Sequence, residues 1–215
     1  ARTSTETSKH QGLTLFLMPM ATQGVTVRPL GQITGRTEFN ELFLDEVFVS
    51  DDHVVGELGL GWTVAGRLLT TERATNRMYR QARFVNELRA LVELANQESR
   101  NSFTDSAIRQ RLGELWSELE ILRYHYLKMI SRVLKGDAIG AESSILKLFW
   151  SKTHQRLAAL ALEILGPQIA AVHAPGSGRA RFQDLYLQTR GETIYAGTSE
   201  IQRSIIADRV LKLPK

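Results

Sequence analysis

An acid and a base stand side by side in the run LLTTERATNR, as Glu72-Arg73. Leu68 and Leu69 are the apolar positions beside them, so Glu72, three and four residues further on, falls on the same helical face. A carboxylate carried inward is either neutralised in a salt bridge, with Arg77 within reach, or used as a functional acid or base. The second candidate is TIYAGTSEIQR, residues 193–203. Gly197-Thr198 makes a tight turn into an apolar-periodic helix, and Thr198 or Ser199 can cap it. The N–H groups of such a helix start favour an anion or the polar edge of a cofactor, with ordinary capping as the alternative.

Other chemistries find no support. Gly59-Leu60-Gly61 precedes a helix, but Val64 breaks the G-x-G-x-x-G pattern and no βαβ unit surrounds it, so it reads as a strand-to-helix turn. The histidines, His10, His53, His125, His154 and His173, show no i, i+4 pairing and no neighbouring carboxylate cluster, and a metal site is not expected. There is no G-x-S-x-G elbow and no Walker loop. The absence of cysteine excludes a thiol nucleophile and a disulfide scaffold. The net charge of +4 is spread among acids along the helical stretches, so no nucleic-acid stripe is expected. No run of 18 apolar residues exists to span a membrane. With 43% apolar and 23% charged residues, the composition is that of a soluble globular protein.

The elements that must position these groups change character near residue 60. GLTLFLMPM, VTVRPL and FNELFLDEVFV read as strands, separated by the turns Thr22-Gln23-Gly24 and Thr34-Gly35-Arg36. Three strands do not make a stable sheet alone, and the polar start ARTSTETSKH carries no initiator Met. Both features suggest a piece of a longer protein. From Gly61 the period is helical: Trp62, Ala65, Leu68 and Leu69 begin an apolar stripe, continued by Phe84, Leu88, Leu91 and Leu94. A helix capped by Asp105 or Ser106 carries Leu112, Leu115, Leu119, Leu122 and Tyr126 and ends at Lys135-Gly136-Asp137. A third runs from about Ala138 to Gly166-Pro167. Two shorter helices are expected near 181–190 and 198–211. The fold class is therefore α+β, a few strands followed by an up-down helical bundle.

HQGLTLFLMP, RPLGQITGRTEFNELFLDEVFVSDDHVVGELGLGW, the Ile164-Leu165-Gly166 turn and YAGTSEIQR stand in the order and spacing seen in acyl-CoA dehydrogenases. The chain resembles the second half of that family's polypeptide over essentially its whole length. The resemblance implies that residues 1–57 end a β-barrel-like middle domain and that residues 58–215 form the C-terminal helical domain. It also implies FAD, an acyl-CoA substrate and α,β-desaturation. Where the commonest members carry the catalytic glutamate in the C-terminal signature, this chain has Ala196. A subset carries it instead on the first long helix, directly before an arginine, and Glu72-Arg73 matches that pattern.

By this resemblance Glu72 is the catalytic base. Arg73, Tyr195, Ala196 and Gly197 would bind substrate, and the Ala196 N–H would stabilise the thioester oxygen. Arg100, Phe103, Glu163, Gly166, Thr198 and Glu200 would contact FAD. Pro167 stands where a second glycine is usual, and Arg100-Asn101-Ser102-Phe103 only echoes the family's cofactor-gripping loop. The expected partners are acyl-CoA, a flavoprotein electron acceptor and a homo-oligomer or mixed-subunit assembly, in a bacterial cytoplasm or a mitochondrial matrix. A catalytically silent subunit and a non-enzymatic helical module remain the alternative readings.

Overall fold

Thr14, Gly59 and Gly61 set the geometry of the N-terminal part. The structure is a computed structural model and describes residues 1–7, 9–75, 79–97, 105–137, 140–171 and 173–214, the side chains of 70–75 excepted. It forms two compact units, 1–75 and 76–215.

In the first unit, β1 (Leu15–Phe16) pairs antiparallel with β4 (Val54–Val55), placing Leu15 opposite Val55. A separate hairpin joins β2 (Val25–Leu30) to β3 (Phe39–Leu44), in register from Val25↔Leu44 to Leu30↔Phe39. The first and third expected strands are thus shorter than their apolar runs, and the pair beside β1 is a fourth strand. Pro19 offers no N–H beyond β1. Glu46 turns the chain out of β3 with a left-handed φ of 48°. Helix α1 (Gly61–Thr75) follows. The Gly61 N–H donates to the Leu13 carbonyl at 2.7 Å, and the Gly59 N–H to the buried Thr14 hydroxyl at 2.9 Å. A Cβ on Gly61 would lie 2.6 Å from the Thr14 carbonyl carbon. The Gly-Leu-Gly motif is therefore a close backbone approach to β1, as a strand-to-helix turn requires.

The stripe expected on α1 is not a buried one. Trp62, Leu68 and Leu69 are exposed, and Trp62 stacks on His10 at 3.9 Å.

The second unit is a bundle built on α4 (Glu142–Leu165), which packs against α2 (Tyr79–Gln97), α3 (Ser106–Leu134), α5 (Gly178–Glu192) and α6 (Ser199–Ile205). Leu115, Leu119, Leu122 and Tyr126 recur at four, three and four residues and bury one face of α3. They meet Phe84, Leu88 and Leu91 of α2, Trp150, Leu157 and Ala161 of α4, and Phe182 and Leu185 of α5. Asp105 caps α3, accepting from the Ala107 N–H at 2.8 Å. The last helix is shorter than expected: α6 passes at Ile206 into one wider turn ending at Val210, closed by Leu211 N–H to Ile206 O at 2.9 Å. Among the described residues no helix is long and apolar enough to cross a membrane, and no group of three or more His, Cys, Asp or Glu side chains could hold a metal ion.

Candidate active site

The turn between α5 and α6 is locally specified. Ile194 and Tyr195 N–H groups return to the Gly191 carbonyl at 2.9 and 3.0 Å, closing the end of α5. Ala196 then adopts φ 54° and Gly197 φ 92°. A left-handed alanine is uncommon and persists only where its surroundings dictate it. Here Gln202 of α6 reaches back, its Nε2 donating to the Ala196 carbonyl at 3.0 Å. A Cβ on Gly197 would collide with that same amide, which is why glycine follows. Thr198 caps α6 by accepting from the Ile201 N–H at 3.3 Å, and the Ser199 N–H closes the loop onto the Thr193 carbonyl at 3.1 Å.

The backbone is thus pinned on its carbonyl side, while the Ala196 N–H donates to no acceptor among the described residues. The Ser199 hydroxyl is buried with no partner among them. Glu200 is exposed and lies 3.5 Å from Arg203. Its carboxyl is held below the usual range by its own backbone N–H first and by the Thr198 hydroxyl next.

Beneath the turn lies a buried network that the sequence reading missed. Both nitrogens of His154 face carboxylates, Nδ1 to Glu192 Oε2 at 2.7 Å and Nε2 to Glu87 Oε2 at 2.8 Å. All three side chains are buried. The Arg83 Nε donates to the other Glu87 oxygen at 2.8 Å, and Arg80 lies 3.7 Å from the other Glu192 oxygen. Arg80 also covers the Trp150 ring at 4.1 Å, and Phe84 stacks on the imidazole at 3.9 Å. Burial opposes charge on the ring, but the hydrogen bonds and charges of Glu192 and Glu87 outweigh it and raise the His154 pKa. Burial likewise works against the Glu87 carboxylate, and His154 and then Arg83 lower its pKa nonetheless. The Tyr195 phenol stands beside Arg80 and Glu192; burial and the Glu192 charge raise its pKa.

A sequence signal for these residues existed. Glu87 falls between Phe84 and Leu88 on the apolar face of α2, and His154 lies four residues after Trp150 and three before Leu157. The inward-polar argument applied to Glu72 holds with more force at both.

The structure therefore brings Tyr195, Ala196, Gly197, Thr198 and Glu200 into one turn. Glu163 and Gly166 share the C-terminal end of α4. Gly166 caps it at φ 66° before a short 3-10 turn that starts at Pro167. Glu163 is half-exposed and paired with Arg111 of α3 at 2.5 Å. Glu72 and Arg73 lie on α1 in the other unit, and their side chains fall outside the description. Arg100 and Phe103 lie outside the described residues altogether.

Comparison with known proteins gives this geometry its context. The model for the acyl-CoA dehydrogenase C-terminal domain matches residues 59–211. The chain is 39% identical to acyl-CoA dehydrogenase IpdE1 of Mycobacterium tuberculosis over its whole length, which is 54% of that protein. It is 34% identical to acyl-CoA dehydrogenase FadE34 of the same organism, again over the whole chain and 28% of that protein. Its fold matches the solved Tcur3481-Tcur3483 steroid ACAD (TM-score 0.88, 23% identity, 100% of this chain and 55% of that one). It matches the ChsE4-ChsE5 complex from Mycobacterium tuberculosis almost as well (TM-score 0.84, 23% identity, 100% and 56%). The chain spans about half the length of IpdE1. The motifs, the bundle and the matched domain agree, and the chain belongs to the acyl-CoA dehydrogenase family, of which it carries the C-terminal domain.

Proposed function

We propose that the chain is the C-terminal half of an FAD-dependent acyl-CoA dehydrogenase that converts a CoA thioester to its α,β-unsaturated form. The observation that carries the reading is the Ala196 N–H, held at a left-handed residue with its own carbonyl tied to Gln202 and with no acceptor among the described residues. An N–H so fixed suits a thioester oxygen, on which negative charge grows as the α-proton leaves. A donor of that kind is worth about 3 kcal/mol of transition-state stabilisation. Because it is a backbone donor, the loss of the signature glutamate at position 196 does not remove it.

In this reading Glu72 takes the α-proton, with Arg73 positioning the base or the ligand and Tyr195 flanking the thioester. Bound FAD would supply the acceptor for the hydride leaving the β-carbon, and a flavoprotein carrier would be the partner for the electrons. The residues at hand fit such a group. Gly166 at φ 66° lets backbone approach closely, and the Ser199 hydroxyl, which has no partner among the described residues, and the Thr198 and Glu200 side chains offer polar contacts at the helix start. Arg100 and Phe103 would complete the set with Glu163.

A mixed-subunit assembly is a second reading. Glu163 is tied to Arg111, and Pro167 follows Gly166, so this edge offers the cofactor less free polar backbone than the family pattern would. The ChsE4-ChsE5 structure is a complex, which lends that reading a precedent in fold.

The test is Glu72→Gln in the full-length protein with its acyl-CoA. Flavin content should stay at the wild-type level while turnover falls by more than the ~10²–10⁴ of an ordinary general base, since no other base stands in. Turnover within about tenfold of wild type would overturn the assignment.

A further inference from the structure

Ala196 keeps a strained conformation in its turn, and the charge network meets the chain just before that turn. Glu192 is the last residue of α5, three before Tyr195, and is almost fully buried. One of its oxygens takes the His154 Nδ1–H of α4, and the other faces Arg80 of α2. Tyr195 itself packs against the core of the bundle. We propose that Glu192 and His154 are positioning residues for the substrate turn: the Glu192 carboxylate ties the end of α5 to the His154 ring of α4 and to Arg80 of α2, three residues before Tyr195, and so fixes the direction of the Ala196 N–H. The proposal rests on reading the Tyr195–Gly197 turn as the thioester site.

The chemistry of the ring supports it. A neutral imidazole has one donor and one acceptor nitrogen. His154 meets an acceptor on each side, so both nitrogens must carry protons for both contacts to be hydrogen bonds. The charged and titratable groups around it are Arg80, Arg83 and Glu87 from α2, Glu192 from α5 and Tyr195 from the turn. With the ring protonated, His154, Arg80 and Arg83 set three positive charges against the two carboxylates of Glu87 and Glu192. Arg80 is drawn to the Glu192 carboxylate, 3.7 Å away. Next along α4, the Gln155 amide donates to the Thr189 carbonyl at 2.9 Å and to the Thr193 hydroxyl at 3.2 Å, so α4 grips the end of α5 at two successive residues. A bridge with only a structural role would tie α2, α4 and α5 together and leave the order of the turn indifferent to the charge on the ring.

Hydrogen exchange read by mass spectrometry on the full-length protein, without substrate, tests this. In Glu192→Gln the amides of residues 193–199 should exchange at least about tenfold faster than in wild type, while those of α3 from Leu115 to Tyr126 keep their rates. Equal acceleration in both segments, or none in 193–199, would overturn the proposal. If that variant does not fold, the wild-type protein supplies the second arm. Nitrogen-15 spectra should show both ring nitrogens of His154 protonated at neutral pH. Protection of 193–199, corrected for the intrinsic base-catalysed rate, should fall selectively as the ring loses its proton. A neutral ring at neutral pH, or protection that does not follow the ring's titration, would equally overturn it. Glu72 takes part in neither measurement, so these outcomes do not depend on whether Glu72→Gln loses turnover.

Discussion

Replacing Glu87 by glutamine keeps the shape of the side chain and removes its charge. In the native chain this carboxylate accepts from the His154 Nε2–H and from the Arg83 Nε–H, each at 2.8 Å. Glutamine has one acceptor oxygen and an amide that faces a second donor, so one contact becomes neutral and the other is lost. Hydrogen bonds to charged groups contribute about 1.5–3 kcal/mol each. The Arg83 side chain is 35% exposed, and water takes over much of what it loses. The buried His154 side has no such recourse, which leaves a net cost of about 2–3 kcal/mol. At 2–4 °C per kcal/mol this lowers the melting temperature by about 4–12 °C. The sign with pH follows from the directions of the two shifts. Glu87, with its pKa lowered in the fold, gives stability that is present above about pH 4.3 and is lost as pH falls through the folded value. His154, with its pKa raised, gives stability that is full below about pH 6.5 and is lost as pH rises through its folded value. The gap between wild type and Glu87→Gln should therefore be widest between those limits and close on both flanks. Thermal melts of the full-length protein across pH read it directly. A gap that stays flat through both flanks, or one below ~1 °C throughout, would refute the charge-network account.

Gly61→Ala should destabilise the N-terminal unit, because its Cβ would press on the Thr14 and Leu15 backbone. Gly66→Ala, in the same helix with open space around it, should be neutral or stabilising by up to ~1 kcal/mol; equal effects in denaturant melts would count against the close approach. For assembly, size measurement with flavin quantification on the full-length protein should give an oligomer. One FAD per subunit in a homo-oligomer excludes the mixed assembly, whereas half-occupancy or dependence on a co-expressed second chain supports it.

Sequence reading reached the parts of this protein that local pattern encodes. The spacing of Leu115, Leu119, Leu122 and Tyr126 and the Asp105 cap located α3 almost to the residue. Gly197-Thr198 marked the turn into α6. It went astray where tertiary context decides. Trp62, Leu68 and Leu69 have helical spacing yet are exposed, because spacing shows which residues share a face and not what covers it. The strands around residues 15 and 44 stop short of their apolar runs, since proline and a left-handed glutamate end the pairing. The His154 network was invisible to any search for motifs: its carboxylates stand 67 and 38 residues away, and only the packing of α2, α4 and α5 brings them to one ring.

The burial of Trp150 has an optical consequence. The other two tryptophans of this chain, Trp62 and Trp116, are about half exposed, whereas Trp150 is sealed and lies under the Arg80 guanidinium. Its indole emission should be blue-shifted and out of reach of aqueous quenchers such as iodide, which silence the other two. A cation held over the ring perturbs its excited state, so any movement of Arg80 away from Trp150 changes the intensity of the one component that iodide spares. The chain thus carries, without a label, a fluorophore that reports on the guanidinium facing Glu192.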